Sequence, residues 1–259
     1  MRVRRATMCS MHIHRLGSSP LKGGAHTEHD SVAYSLDGPE GDREFAVVDV
    51  AARRVLKTVE NTALVGCVAR WHDGVLSIAV DGQTHAGRPE PSGAALELDY
   101  WGRAAAVRIV DGPWTAPLSR LLGREVRLAR AARPGALVYG DPVSIVTTGS
   151  LARLARESGG AVDERRFRAN VVVDTGDEAH AEDRWAGREL EVGGVRLRVA
   201  GGIARCAVID VDPESATSGS RLLRTLAGYR LHAGDIGFGV YATVVRAGVV
   251  SRGDTARVL

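Results

Sequence analysis

Short bursts of apolar residues recur along most of this chain, and Gly, Asp or Pro closes each one. Glu44-Phe45-Ala46-Val47-Val48-Asp49, Gly74-Val75-Leu76-Ser77-Ile78-Ala79-Val80-Asp81 and Ala105-Ala106-Val107-Arg108-Ile109-Val110 have this form. So do Asn170-Val171-Val172-Val173-Asp174, Val195-Arg196-Leu197-Arg198-Val199 and Gly239-Val240-Tyr241-Ala242-Thr243-Val244-Val245. Bursts of this length between turn residues predict strands. Three segments carry helical spacing instead: Trp114 to Leu122 before Gly123, Thr147 to Ser158 before Gly159-Gly160, and Ser218 to Tyr229. A hydroxyl cluster opens the second, and glycines follow the first two at the usual C-terminal stop. Gly193-Gly194 and Gly201-Gly202 are expected as hairpin turns. The alternation from His12 predicts an edge strand, and the polar stretch around His26 and His29 predicts a solvated loop. Cys67, within Leu64-Val65-Gly66-Cys67-Val68, is expected in the core.

The expected fold class is therefore mainly β with α (α+β). An Arg-rich stretch (Arg124, Arg127, Arg130, Arg133) runs into Pro134-Gly135 and marks the best boundary. It divides the chain into a β-rich part over 12–122 and a β-rich part with helices over 123–259.

Composition narrows the function. With 259 residues the chain is long enough for one large domain or two small ones. Lys plus Arg is 34 against 31 acids, a net +3 too small to point to nucleic acid, and no basic run with interleaved aromatics occurs. No continuous apolar stretch reaches membrane-spanning length, and no signal-type apolar core follows the basic Met1-Arg2-Val3-Arg4-Arg5. The expectation is a cytoplasmic protein without membrane or nucleic-acid partners, with Met8 and Met11 as alternative starts. Cys9, Cys67 and Cys206 show no CxxC spacing, which argues against a disulfide framework or a four-cysteine metal site. Cys9-Ser10-Met11-His12-Ile13-His14 fits the start of a strand better than a metal tract. No HExxH, no Gly-x-Ser-x-Gly and no strand–loop–helix phosphate loop occurs.

Several pieces carry chemistry of their own. Arg165-Arg166-Phe167-Arg168-Ala169-Asn170 puts guanidinium forks beside a strand, a geometry that matches phosphate oxygens, although a solvated basic turn looks the same. Arg205-Cys206 sets a thiol beside a cation, which favours the thiolate that binds soft metals, although a Cys in an apolar run is usually core. Pro20-Leu21-Lys22-Gly23-Gly24 and Gly41-Asp42-Arg43-Glu44-Phe45 place cations next to glycines, where backbone can approach an anion.

Taken in order, these motifs resemble the MOSC family, named for the C-terminal domain of molybdenum cofactor sulfurases. They run Pro-x-Lys-Gly, Gly-Asp-Arg-x-Phe-x-x-x-Asp, Arg-Phe-Arg-x-Asn, Arg-Cys-x-x-x-x-Val-Asp-Pro (Arg205 to Pro213), Gly-Phe-Gly-x-Tyr and Gly-Asp. The pattern is similar to bacterial proteins and mitochondrial amidoxime-reducing components that pair this domain with a MOSC N-terminal β-barrel domain. The resemblance runs from about Ile13 to Val258, nearly the whole chain.

The resemblance implies a MOSC N-terminal β-barrel-like domain over 12–122 and a MOSC domain over 123–259. It implies a molybdenum-pterin cofactor (Mo-molybdopterin) whose metal is bound by Cys206, the catalytic residue. Lys22, Arg43, Arg168 and Arg205 would hold the cofactor's phosphate and polar pterin edge, with Asn170 assisting and Tyr241 nearby. It also brings the pyridoxal phosphate binding associated with the family. The implied activity is reduction of small N-hydroxylated or N-oxygenated substrates, with electrons from a separate reductase or partner protein, since three isolated cysteines build no iron–sulfur cluster. A sulfur or cofactor carrier using a Cys206 persulfide, and an enzyme that has lost the cofactor, are the alternatives. The chain departs from the family where Gly23 replaces a Ser after the Lys, Val59 an Arg, Ala169 a Pro, and Ala204 a hydroxyl residue.

Overall fold

The alternating bursts become strands because every second residue meets a core. Val75–Val80 buries Leu76, Ile78 and Val80 and leaves the intervening positions more exposed. Val143–Thr147 is buried at every position and runs parallel to Val171–Asp174. Such continuous apolar runs belong to strands covered on both faces. The computed structural model describes residues 11–259. The basic N-terminus, Met8 and Cys9 lie outside the described residues.

The architecture is mainly β with α, and its sheets close on themselves. In a nine-stranded sheet the order runs Val143–Thr147, Val171–Asp174, Met11–Ser18, Thr255–Val258, Glu189–Val192, Val195–Ala204, Asp235–Arg246. The last of these pairs again with Val143–Thr147, making a barrel. Its interior holds Ile13, Leu16, Ile145, Val173, Leu190, Leu197, Val199 and Val240. The six-stranded sheet closes in the same way, because Arg103–Asp111 pairs with both Leu96–Tyr100 and Arg127–Ala131. Closure leaves few open edges, which suits a chain with so many short strands.

Three helices cover these barrels. Helix α1 (Thr115–Leu122) lays Leu118 against Phe45, Val47, Leu76 and Leu128. Helices α2 (Thr148–Ser158) and α3 (Leu222–Arg230) put Leu151, Leu154 and Leu226 over Val146, Val172, Phe167 and Phe238. Gly123 and Gly159 end α1 and α2 with φ of 65° and 75°, the left-handed stop that glycine adopts without penalty. At the start of α2, Thr147 accepts from the Ser150 N–H. The Thr147 and Ser150 hydroxyls donate to the fully buried Glu182 carboxyl, each at 2.7 Å. Burial raises the Glu182 pKa against the lowering effect of these hydrogen bonds.

Four local expectations are corrected. Gly201-Gly202 is not a turn but the interior of Val195–Ala204, where the register against Asp235–Arg246 slips three times, on both sides of the glycine pair among them. Glycine there allows a bulged strand. Met11–Ser18 is not an edge strand: it pairs with Val171–Asp174 on one side and with Thr255–Val258 and Thr27–His29 on the other. His26 is buried rather than solvated, because Gly17 has no side chain to exclude its ring. Helix α3 starts at Leu222, since Ser220 is instead hydrogen-bonded to Asp210 and Ser218 bridges to Val211.

Strand pairing crosses the 122/123 division in both directions. Met11–Ser18 is built into the C-terminal barrel, and Arg127–Ala131 pairs with Phe45–Asp49 in the N-terminal one. A two-domain division at that point is a proposal about units of descent, since the sheets interleave across it. Among the described residues no helix is long and apolar enough to cross a membrane.

Trp114 joins the N-terminal strands to α1: it is 0% exposed, and its indole N–H donates to the His85 carbonyl at 2.8 Å. Trp114→Ala is expected to lower unfolding stability by about 3–5 kcal/mol, as cavity-forming aromatic truncations do. Denaturant titration of the two proteins measures it.

Candidate functional site

One cavity of about 310 Å³ is lined by Lys22, Arg43, Arg168, Asn170, Arg205, Cys206 and Tyr241, all seven of the site residues expected from the sequence. They come from distant parts of the chain. Lys22 follows the first strand, where its backbone N–H donates to the Phe45 carbonyl at 2.7 Å. Arg43 (φ 52°) and Arg168 (φ 54°) both sit in the left-handed region, where the chain turns sharply into a strand. Arg205 and Cys206 follow Val195–Ala204, and Tyr241 lies within Asp235–Arg246.

The cations are fixed by backbone rather than neutralised by acids. Arg168 donates to the Gly24 carbonyl at 2.6 Å. Arg205 donates to the Phe238 and Phe167 carbonyls at 2.7 and 2.9 Å, with its guanidinium 5.3 Å from the Phe167 ring centroid. Each keeps one buried Nη2 without a hydrogen-bond partner. Arg43 is the exception, bound to the Asp42 carboxylate and donating to the Arg168 carbonyl at 3.1 Å. Lys22 has the face of Tyr100 4.6 Å from its Nζ. Burial, with Arg168 and Arg43 adding to it, pushes the Lys22 pKa down to about 7. Burial likewise pushes Arg168 and Arg205 down to about 10, so both stay charged at neutral pH.

The motif residues around them act as positioning groups. Asn170 is fully buried; its carbonyl oxygen accepts from the Ser144 backbone N–H (3.0 Å) and hydroxyl (2.8 Å). Its amide nitrogen donates to Asp42 at 2.9 Å and to the Gly17 carbonyl at 3.3 Å. With both ends of the amide occupied, Asn170 orients Asp42 and hence Arg43. Asp212 accepts from the Glu214 and Ser215 N–H groups and pairs with Arg166 at 2.7 Å, which ties the Cys206 loop to the Arg168 turn. A Cβ on Gly239 (φ 76°) would lie 2.5 Å from the Ile145 carbonyl oxygen and 3.1 Å from Arg205 Nη2. Glycine at that place in the Gly-Phe-Gly-x-Tyr run therefore leaves room for the arginine.

The two described cysteines differ sharply. Cys67 is buried, and desolvation pushes its thiol up to about 12, which makes it inert. Cys206 is exposed and lines the cavity. Tyr241 borders it as well, and burial raises its phenol pKa, so the hydroxyl remains protonated and able to donate. Among the described residues no group of three or more His, Cys, Asp or Glu could hold a metal. A metal at Cys206 would take most of its ligands from the molecule that brings it.

Sequence reasoning missed Thr58, Tyr100, Trp101 and Tyr139, which also line the cavity. A Cβ on Gly23 (φ 83°) would lie 2.7 Å from Thr58 Oγ1. Thr58 thus places a hydroxyl beside Lys22, at the spot vacated by the missing Ser side chain, and nothing in the local sequence around Lys57-Thr58-Val59 signals that. The aromatic residues had a fainter signal in Tyr100-Trp101-Gly102. Trp101 (φ 58°) and Gly102 (φ 79°) form a two-residue hairpin turn in which both residues are left-handed, a conformation costing a non-Gly residue about 1–2 kcal/mol.

A second cleft of about 810 Å³ adjoins the first through Arg43, Val138 and Pro142. Its arginines face Asp37, Glu40, Glu44 and Asp73, so no single charge dominates there. The smaller cavity is lined by five cations, Lys22, Arg43, Arg166, Arg168 and Arg205, and by Asp141; Asp42 pairs with Arg43 and Asp212 with Arg166, and buried guanidinium nitrogens stay unpaired beside one accessible thiol. That donor set fits a polyanion carrying a soft metal, as a phosphorylated pterin dithiolene is.

The MOSC domain family profile matches residues 123–257. The molybdenum cofactor sulfurase of Danio rerio is 40% identical over 77 residues, 30% of this chain and 9% of that protein. The molybdenum cofactor sulfurase of Solanum lycopersicum is 39% identical over 90 residues, 33% of this chain and 11% of that protein. The chain thus spans about a tenth of the length of these curated relatives. Among solved structures, the YUAD protein from Bacillus subtilis aligns over 96% of this chain and 95% of its own, at 15% identity and a TM-score of 0.46.

The lowered Lys22 pKa makes anion binding pH-dependent. A bound anion restores the Lys22 charge, so binding takes up a proton above pH 7 and weakens as pH rises further. Sulfate, whose own charge is constant here, is expected to lose affinity by up to about tenfold per pH unit between pH 7 and 9. Titration calorimetry measures this, and Lys22→Met should flatten the profile while weakening binding at pH 6.5. In the free protein the same group disfavours the folded state below pH 7, a penalty relieved as pH rises toward the ordinary lysine value.

Proposed function

The chain belongs to the MOSC domain family, and on that premise we propose that it is a molybdenum-pterin oxidoreductase that reduces N-hydroxylated or N-oxygenated compounds. The observation that carries the reading is the convergence of Cys206 with Lys22, Arg43, Arg168 and Arg205 on one cavity in which three of the cations lack a carboxylate partner. When bound, the cofactor would supply a metal centre that exchanges electrons and an oxygen atom with the substrate.

The chain's own residues hold and orient. Cys206 offers one thiolate ligand at an accessible position. Arg168 and Arg205, each with an unpaired Nη2, would hold phosphate or pterin oxygens, Lys22 would add a third charge, and Arg43 is steadied by Asp42 and Asn170. Tyr241 keeps a donor hydroxyl in the cavity that Cys206 also lines. The net change for a hydroxylamine-type substrate is R–NHOH + 2e⁻ + 2H⁺ → R–NH₂ + H₂O. The electrons come from a separate reductase or partner protein, since the described cysteines, one buried and one at the cavity, build no cluster of their own. A cytoplasmic location suits such a supply.

The likeness to cofactor sulfurases favours a second reading, in which Cys206 carries a persulfide for delivery without turnover. Intact mass after incubation with a low-molecular-weight persulfide, which passes its outer sulfur to Cys206 and leaves as a thiol, separates it from the first, with Cys206→Ser as control.

In protein purified from a host that makes the cofactor, about one molybdenum per chain is expected by elemental analysis. Cys206→Ala is expected to lower reduction of an N-hydroxylated substrate with a chemical electron donor at least about 100-fold. A wild-type protein without molybdenum, or activity that survives the substitution, overturns the reading.

A further inference from the structure

The cavity has two chemically distinct ends. Its floor is the cation set, and its mouth is aromatic. Trp101 and Tyr139 stand at that mouth 42% and 54% exposed, with ring centroids 6.0 Å apart and planes at 62°. Tyr100 continues the surface inward, 6.3 Å from Tyr139 and nearly perpendicular to it.

Three observations make this rim a built feature. Trp101 occupies the first central position of a two-residue turn between paired Tyr100 and Arg103, with φ at 58°. Asn, Asp or Gly suits that position, whereas a tryptophan is strained there. The indole stays partly exposed, with Lys57 Nζ 4.6 Å from its ring centroid. Arg103 holds the opposite side: its guanidinium lies 4.9 Å from the Tyr100 centroid and 5.8 Å from that of Tyr139. It also donates to the Val138 carbonyl, so the 134–142 loop is tied to the hairpin and the rings are set in advance. Finally, Val59 lines the same cavity with a short apolar side chain, leaving space between the rim and the floor.

We propose that Trp101 and Tyr139 form a subsite for a planar aromatic ring on the substrate, adjoining the reacting group over Cys206. The inference rests on the reductase reading for the identity of the substrate, and on the rim alone for the ring. Offset or edge-to-face stacking against two preset aromatic side chains favours a flat ring over an aliphatic chain of the same polarity. The cations below select the anionic cofactor and contribute nothing to that preference.

The test compares benzohydroxamic acid with acetohydroxamic acid, which share the N-hydroxyl group and differ in the ring. Dissociation constants are measured by ligand-observed NMR on the protein as isolated, with molybdenum content determined on the same samples. The wild type is expected to prefer the aromatic ligand about tenfold or more. Trp101→Asn, whose residue suits the turn, should melt at the same or a higher temperature yet lose most of that preference, and Trp101→Phe should retain it. Tyr139→Ala, on the exposed loop, gives the same readout without altering the turn. A wild-type ratio near one, or a ratio preserved in both Trp101→Asn and Tyr139→Ala, overturns the proposal. A molybdenum-free chain that keeps the preference would remove the reductase reading and leave the aromatic subsite standing.

Discussion

Several positive charges have to share one partly buried space, and most of this structure around the cavity answers that constraint. Lys22, Arg43, Arg168 and Arg205 repel one another there, and burial sharpens the repulsion because water screens it less. Carboxylates would relieve the strain but would also cancel the field that draws an anion. The chain instead grips the guanidinium groups with backbone carbonyls from Gly24, Phe167, Arg168 and Phe238, and of these four cations pairs only Arg43 with a carboxylate, Asp42. Carbonyl dipoles hold a cation in place without neutralising it. The lowered pKa of Lys22 measures how far the free site is from electrostatic rest.

The barrel makes that arrangement rigid. Carbonyls can serve as fixed ligands only where their backbone is fixed: Phe238 lies in the strand that closes the barrel, and Phe167 and Arg168 lie in the turn that leads into Val171–Asp174. Gly17, Gly24 and Asn170 lie where the first strand, the Lys22 turn and the Val171–Asp174 strand meet, and Gly239 lies in the strand that completes the barrel. Small residues at 17 and 239 let His26 and Arg205 come close to backbone, and at 239 this makes a plain-looking strand glycine a steric requirement of the site. The Cys206 loop is held separately, through Asp212 and Arg166, at an accessible edge. Anchored cations and an accessible thiol are what a polyanion with a soft metal asks of a protein.

The aromatic mouth follows a different logic from the floor. Electrostatics sets the floor and would accept many anions, whereas the rim discriminates by shape. Backbone strain at Trp101 and the Arg103 tie to the facing loop keep that shape preset. Cys206 lines the same cavity as both.

What the sequence determined by itself is local. The alternating burst at Val75–Val80 and the continuous apolar bursts at Phe45–Asp49 and Val171–Asp174 became strands, and Gly123 and Gly159 ended their helices, because these outcomes depend on neighbours a few residues away. The cation motifs were legible too, since their order along the chain survives as a pattern even when each piece resembles a surface turn. Tertiary structure alone decided the rest. It set Gly201-Gly202 inside a bulged strand, buried His26 over Gly17, and threaded the first strand into the C-terminal barrel. It left Asn170 orienting Asp42 with its whole amide, and brought Thr58 to the place of the hydroxyl that Gly23 lacks. The reason is the same each time: strand partners and cavity walls are chosen by contacts between residues far apart in the chain, and a linear pattern holds no distance between them.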